Sequence, residues 1–178
     1  MTEKFADMLI EGGHKNSLGR VNEVIETVLS DKSRLDELYS CLFEDDAWVR
    51  MRAADALEKI CRQHPDWLLA YIDRFQKDLA TSTQPSIQWH MAQIYSEVDL
   101  TPKQKQAAID WLKQLLSIKD VDWIASANAM DTLAQFTRDG STPVAELVPL
   151  LKIQQTHKSN AVIKRANKLL AEFDTMEA

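Results

Sequence analysis

Residues 38–60 read LYSCLFEDDAWVRMRAADALEKI, and this stretch decides the fold. An apolar segment is followed by an acidic turn at residues 44–46 and then by a second segment whose apolar residues lie three and four positions apart. Such spacing places apolar side chains on one face of a helix. The carboxylates just before the second segment are suited to capping it and to complementing its dipole. The stretch therefore predicts a hairpin of two helices.

The apolar pattern of this hairpin recurs along the chain with a period of 38 residues. Four positions of the second helix follow the period, and a fourth copy is one residue shorter. The members are Val49, Ile87, Ala125 and Val162; Ala54, Ala92, Met130 and Asn167; Leu57, Tyr95, Leu133 and Leu170; and Ile60, Val98, Phe136 and Phe173. A fixed period of this length is typical of stacked helical units. We expect one domain, 1–178, of five helix pairs at residues 3–30, 32–63, 66–98, 102–138 and 142–175.

Turn signals and composition favour helix between these boundaries. The chain has four glycines and five prolines, and it is rich in good helix formers. Thr101-Pro102 and Thr142-Pro143 each offer a capping hydroxyl followed by proline at the first helical position. Gly12-Gly13 marks an early break, and without a preceding strand it does not predict a phosphate site at His14. The sequence predicts an all-α fold of about ten helices.

The hairpin at residues 38–60 resembles a HEAT repeat, with a second helix of the form V-R-x-x-A-A-x-A-L-x-x-I. The matching residues are Asp45 or Asp46, Val49, Arg50, Ala53, Ala54, Ala56, Leu57 and Ile60. The HEAT and armadillo families imply a right-handed α-solenoid of about five stacked antiparallel pairs, with the second helices lining a concave surface. They also imply a contact between Arg50 and the Asp45-Asp46 turn. Gln88 and Ser126 depart from the motif in later copies.

Charge and cysteine content restrict the classes of partner and the compartment. The formal net charge of −6 repels a phosphate backbone unless the basic residues gather on one face, so it disfavours nucleic acid without excluding it. Cys41 and Cys61 fall in apolar helical patterns and are expected to be buried, reduced thiols. Neither a signal peptide nor a membrane span is predicted. We expect a cytoplasmic protein.

Catalytic and metal-binding motifs do not occur in the sequence. The sequence contains no Cys-x-x-Cys, no His-x-x-x-His, no glycine-rich phosphate loop and no Gly-x-Ser-x-Gly nucleophile elbow. The acidic run at residues 44–46 is better explained by helix capping than by acid–base chemistry. We therefore expect no enzyme activity, no catalytic residue, no metal and no cofactor.

The candidate binding surface follows from the helical phase of the second helices. With Val49, Ala53, Leu57 and Ile60 taken as the buried stripe, the opposite face of each second helix is expected to line the concave groove. We call eleven residues of that face the candidate strip. They are Met51, Arg52, Asp55, Trp89, His90, Gln93, Asn128, Asp131, Lys164, Arg165 and Lys168.

Two parts of this surface could recognise a partner. Met51, Trp89 and His90 form the best candidate anchor for a protein, because aromatic and methionine side chains are enriched in interface cores. The alternative is that neighbouring helices or a terminal segment cover them. Residues 152–168 carry five cations and no acid, and they could contact nucleic acid, an acidic peptide or anionic lipid, or could be only a solvated face.

The sequence thus favours a non-catalytic interaction or scaffold module that binds a protein or peptide segment on its concave surface. Two alternatives remain. One is a nucleic-acid-binding protein, such as a helical-repeat DNA-repair protein, using the same groove. The other is a subunit whose exposed faces serve self-association. The oligomeric state is not predicted.

Overall fold

The computed structural model describes residues 3–11 and 17–174, so the break at Gly12-Gly13 and His14 lie outside the described residues. These residues form α-helices and two 3₁₀ turns, Lys32–Arg34 and Cys41–Phe43, and no strand. The helices are α1 (Phe5–Ile10), α2 (Val21–Ser30), α3 (Leu35–Ser40), α4 (Ala47–Gln63), α5 (Pro65–Leu69), α6 (Ile72–Asp78), α7 (Pro85–Glu97), α8 (Pro102–Leu116), α9 (Trp123–Arg138), α10 (Val144–Gln154) and α11 (Asn160–Asp174). The all-α prediction is confirmed. None of the described helices is long and apolar enough to cross a membrane.

The chain forms two compact units. The first contains Met1–Tyr71 and Glu97–Asp99, and here α1, α2, α3 and α5 pack against α4. The start of α1 is anchored where the backbone N–H of Phe5 donates to Glu37 Oε1 over 2.8 Å. The guanidinium of Arg34 lies 3.8 Å from the centre of the Phe5 ring. α1 is therefore held by a carboxylate of α3 at its N-terminus and by a cation of the 3₁₀ turn that precedes α3.

The second unit contains Ile72–Ser96 and Leu100–Ala178. Here α8 packs on α6, α9 and α10, while α11 packs on α9 and α10. Thr132 Oγ1 donates to the carbonyl oxygen of Ala92 over 2.9 Å, and Gln135 Nε2 donates to that of Ser96 over 3.0 Å. Two successive turns of α9 are thus bonded to two successive turns of α7.

A buried glutamine joins three segments within the second unit. Gln154 is fully buried at the end of α10 and accepts a hydrogen bond from Ser126 on α9. Its amide nitrogen donates to the carbonyl oxygens of Leu116, the last residue of α8, and of Ile118, two residues beyond that helix. Helix ends leave carbonyls without intrahelical partners. Gln154 therefore satisfies the C-terminus of α8 from a neighbouring helix.

The 38-residue period describes the core correctly. Leu57, Tyr95, Leu133 and Leu170 are all buried, as are the members of the Val49 and Ile60 registers. In the Ala54 register the first three copies are buried, whereas Asn167 is exposed. The fourth copy departs at a single polar residue, because α11 turns this position to solvent.

Of the three capping assignments made from sequence, two are confirmed. Asp46 Oδ1 accepts from the backbone N–H groups of Trp48 and Val49, and Thr101 forms a capping box with Gln104. At Thr142-Pro143 the prediction is wrong by one residue, since α10 begins at Val144 with Pro143 at the cap and Thr142 buried. Proline has taken the extended backbone conformation that precedes the helix.

The first helices of the second and third pairs are interrupted. α3 is a short helix between two 3₁₀ turns, and residues 65–78 are divided into α5 and α6. The boundary between the units falls at residues 71–72, inside the pair assigned to residues 66–98. The second helices α4, α7, α9 and α11 are longer and less interrupted, which is why the period was visible in them.

Candidate functional site

In the first unit, the candidate strip does not form an open face. Arg52 is only 3% exposed, so the prediction that its side chain lines a groove is wrong. Met51 and Asp55 are half-buried. Asp55 forms an ion pair with Lys59 one turn later, at 2.7 Å between Oδ2 and Nζ. Helical phase places these three positions opposite the buried stripe of α4, but another part of the chain covers Arg52 there.

The N-terminal segment covers Arg52. Its Nη1 donates to the carbonyl oxygens of Leu9, over 2.6 Å, and Ile10, over 3.3 Å, while its Nε donates to that of Ser17 over 3.0 Å. Leu9 and Ile10 are the last residues of α1, where carbonyls lack helical partners and the dipole favours a cation. Arg52 therefore binds the end of α1 and a residue shortly before the start of α2.

Glu58 is a second buried charge on α4 that the helical pattern did not single out. It is 3% exposed and forms an ion pair with Arg62 one turn later. Burial raises the pKa of its carboxyl above the ordinary value of 4.5, an effect that Arg62 partly opposes. An acid placed between Leu57 and Lys59 has no periodic signal of its own, so only its burial identifies it.

In the second unit, α7 carries the aromatic part of the strip. Trp89 and Gln93 are half-buried, and His90 is 7% exposed. The prediction that His90 lies on an open face is therefore wrong. Its ring lies 5.5 Å from that of Trp89 with the planes tilted by 56°. His90 supports the indole from the interior and leaves Trp89 as the accessible aromatic group.

The remaining strip residues lie on α9 and α11. Asn128 and Asp131 are half-buried, while Lys164, Arg165 and Lys168 are exposed, as the helical phase predicts. Arg165 Nη2 lies 3.5 Å from Asp131 Oδ2, which brings these two strip positions together. Asn128 instead donates to the carbonyl oxygen of Ile124 in its own helix.

A charge pair that sequence reasoning missed extends this α9/α11 face. Arg138 donates to both carboxylate oxygens of Glu172, over 2.6 and 3.0 Å. Arg138 lies seven residues after Asp131 and so on the same helical face, a spacing that could have identified it. Arg138 lowers the pKa of Glu172, whereas burial raises that of Asp131 despite the cations around it, Arg165 first among them.

Within residues 3–11 and 17–174, no group of histidine, cysteine, aspartate and glutamate side chains is arranged to hold a metal ion. Cys41 and Cys61 are both buried, free thiols, as the sequence predicts. Burial raises the pKa of each to about 12. They behave as small apolar residues of the core.

The hairpin of residues 38–60 has the polar contact that the family implies. Arg50 Nη1 donates to the carbonyl oxygens of Glu44, over 2.6 Å, and Asp45, over 2.8 Å. The contact with the turn is confirmed, and it is made to backbone oxygens. A family model described as a HEAT repeat domain matches residues 13–166. The chain belongs to the HEAT repeat family.

HEAT repeats are commonly protein-interaction scaffolds. No curated protein and no solved structure matches this HEAT repeat chain. Its candidate surface is therefore judged from its own residues. In the second unit the part of the strip that is not buried consists of Trp89 and Gln93 on α7, Asn128 and Asp131 on α9, and the exposed cations Lys164, Arg165 and Lys168 on α11.

Proposed function

We propose that this HEAT repeat chain is a non-catalytic interaction module, and that the second unit binds an acidic protein segment across α7, α9 and α11. The proposal includes the finer architecture expected from the sequence: a single domain of about five stacked antiparallel helix pairs in a right-handed α-solenoid. The cytoplasmic location stays a prediction.

The observation that carries this proposal is the set of three exposed cations on α11. Lys164, Arg165 and Lys168 lie within five residues, so helical spacing keeps them on one side of α11. Arg165 Nη2 lies 3.5 Å from Asp131 Oδ2, a distance longer than that of a strong ion pair, and Lys168 also interacts electrostatically with the carboxylates of Asp131 and Glu172. The side of α11 facing solvent is basic in a chain whose net charge is −6.

The packing of the helices makes this surface continuous with α7. The Asp131–Arg165 contact joins α9 to α11, and the bonds from Thr132 and Gln135 join α9 to α7. An extended segment that pairs with Lys164 and Lys168 can therefore reach the half-buried Trp89. Its acidic residues would meet the cations and an apolar residue would meet the indole, as in an interface with a polar rim and an aromatic anchor.

The test compares two variants with the same change in charge. One carries Lys164→Glu, Arg165→Glu and Lys168→Glu, and the control carries Lys77→Glu, Lys103→Glu and Lys119→Glu, all three of which are exposed. The probe is a fluorescent twelve-residue peptide of alternating glutamate and leucine, followed by anisotropy. We expect the first variant to bind it at least about tenfold more weakly and the control to bind like the unmodified chain.

A protein partner is favoured over nucleic acid because Asp131 and Glu172 lie among the cations of the α9/α11 face. Both carboxylates would repel a phosphate backbone, whose negative charge is continuous, whereas a peptide can place its acidic residues opposite the cations and neutral residues opposite Asp131 and Glu172. Single-stranded DNA of twelve nucleotides serves as the second probe. If the chain binds this DNA more tightly than the peptide, and the α11 variant loses that binding, the partner is a nucleic acid and not an acidic protein segment. Equal peptide binding by all three chains would overturn the proposal.

A further inference from the structure

A cleft of about 310 Å³ opens between α6 and α8, away from the strip residues, and Gln76, Tyr95, Asp110, Trp111 and Gln114 contribute to its lining. This volume is at the lower end of the range for ligand pockets, so it suits a single side chain more than a cofactor. Asp110, Trp111 and Gln114 are spaced by one and three residues along α8 and share one helical face. One wall of the cleft is thus formed by three side chains on a single face of α8.

The indole of Trp111 has a fixed orientation in this wall. Its Nε1 donates to the carbonyl oxygen of Ala80 over 3.1 Å. The Tyr95 ring meets it edge-on, with centroids 5.8 Å apart and planes at 81°. Both partners restrain rotation of the indole, and Trp111 is half-buried. An aromatic surface is therefore pre-organised at the cleft.

The position of the Tyr95 hydroxyl is not explained by packing in the core. Its side chain lines the cleft and is 1% exposed, and its hydroxyl is buried with no hydrogen-bond partner among the described residues. Buried polar groups are nearly always paired. Burial also raises the pKa of this phenol, so the group stays protonated and can both donate and accept.

The charges and acceptors around the cleft favour a cation. Asp110 is the one charged side chain among the described residues that line it. Asp110 accepts a single hydrogen bond, 2.9 Å from Gln106, which leaves further acceptor positions. Gln76 uses its amide nitrogen on the carbonyl oxygen of Gln104, so its own carbonyl oxygen remains for a ligand. A carboxylate, neutral acceptors and an indole match a planar, multiply donating cation.

We propose that this cleft binds the guanidinium of an arginine side chain from a partner protein, which lies against Trp111, pairs with Asp110 and donates to the Tyr95 hydroxyl. Arginine fits better than lysine because its donors are spread over a plane that can both stack on the ring and reach two acceptors. This site goes beyond the proposed function, since it prefers the opposite charge and uses none of the strip residues.

The test is a titration of the full chain followed by ¹H–¹⁵N correlation spectra. The probes are the capped tripeptides Gly-Arg-Gly and Gly-citrulline-Gly, because citrulline keeps the shape of arginine and removes its charge. We expect the arginine peptide to shift the Trp111 indole N–H and the α8 amides. The citrulline peptide should bind at least about fivefold more weakly.

Two variants and two controls complete the experiment. Asp110→Asn and Tyr95→Phe should each weaken binding of the arginine peptide by about threefold or more, whereas Asp120→Asn, outside the cleft, should not. The triple α11 variant should bind it normally, so this proposal and the proposed function fail independently. Equal affinities for the two peptides, or full affinity in either cleft variant, would show that no guanidinium site exists here.

Discussion

The guanidinium of Arg52 donates a 2.6 Å hydrogen bond to the carbonyl oxygen of Leu9, which lies 43 residues earlier in the chain. Leu9 belongs to α1, a helix of six residues. Helices this short are not stable alone in water, because the cost of nucleation is not recovered over so few hydrogen bonds. The position of α1 on the first unit therefore depends on contacts such as this one.

We expect Arg52→Ala to lower the free energy of unfolding by about 2–4 kcal/mol, since it removes charge-assisted hydrogen bonds and leaves the buried carbonyl of Leu9 without this partner. Urea unfolding measures this loss. Amide hydrogen exchange in α1 should accelerate more than exchange in α4. Arg52→Lys keeps the charge and should recover part of the loss. If α1 exchanges at the same rate in Arg52→Ala as in the unmodified chain, Arg52 does not hold this helix.

The core assignment is tested at Leu57, which is fully buried in α4. We expect Leu57→Ala to cost about 2–5 kcal/mol, the range for truncating a core leucine. The exposed Ile10 provides a matched aliphatic control, because most of its surface already faces solvent. Ile10→Ala should change the unfolding free energy by less than about 1 kcal/mol. Similar losses in both variants would contradict the core assignment.

The buried carboxyl of Glu58 should make stability depend on pH. Because its pKa is raised by burial, the native chain holds a proton that the unfolded chain has already released. The unfolding free energy therefore falls as pH rises from 4.5 through the native pKa. Glu58→Gln removes this contribution, so its stability relative to the unmodified chain should increase with pH across that window.

Glu172 provides a control, because its contribution to stability should change with pH in the opposite direction. Arg138 lowers its pKa, so its stabilising contribution is present above the ordinary value of 4.5 and is lost as pH falls through the native pKa. Glu172→Gln should have a lower unfolding free energy than the unmodified chain at the upper end of the pH range, and this difference should disappear as the pH falls. Urea unfolding of the three chains at several pH values between about 3 and 7 measures both effects. Parallel profiles for all three would contradict the assigned directions.

The aromatic anchor is tested by a pair of tryptophans. Trp89→Ala should weaken binding of the acidic peptide by about 2 kcal/mol, with little effect on the fold, because the indole is only half-buried. Trp67 stacks on His64 with ring centroids 4.3 Å apart, and Lys32 lies 4.9 Å from its ring centre. Trp67→Ala should instead reduce stability. If Trp89→Ala instead lowers the stability of the fold, while each folded molecule still binds the peptide normally, Trp89 is a core residue and not an anchor.

The two thiols provide a probe of global unfolding. Cys41 and Cys61 are buried, and burial raises the pKa of each to about 12, so neither forms the reactive thiolate at neutral pH. We expect neither to react with an aromatic disulfide reagent in the native chain and both to react in urea. Absorbance of the released thiolate measures the number of reactive groups. Rapid reaction of one thiol without denaturant would show that its part of the core opens locally.

The sequence predicted the buried registers well because they depend on local geometry. A residue such as Leu133 repeats the phase of Leu57 within its own helix, and both are buried. The same reasoning correctly placed Lys164 and Lys168 on an exposed face. Helical phase determines which side of a helix a residue occupies, and in these cases the opposite side faces the core.

Helical phase alone could not predict which other segments of the chain cover the side of a helix opposite its core stripe. Arg52 is buried by carbonyls from residues 9, 10 and 17, and α4 contains no signal for that contact. His90 occupies the same strip yet is also buried. The phase of α9 places Arg138 on the same face as Asp131, but its pairing with Glu172 depends on how α9 and α11 pack, which the pattern of either helix does not contain. Predictions fail here because the determining contacts join residues far apart in the chain.

The bonds from Thr132 to Ala92 and from Gln135 to Ser96 have a consequence for recognition. A slide of α9 along α7 by one residue would break both at once, so the two helices keep a constant offset. The distance between Trp89 and Asn128 is then a property of the protein that a ligand cannot adjust. Selectivity would come from the ligand's own residue spacing, and inserting one residue between its acidic and apolar groups should abolish the match.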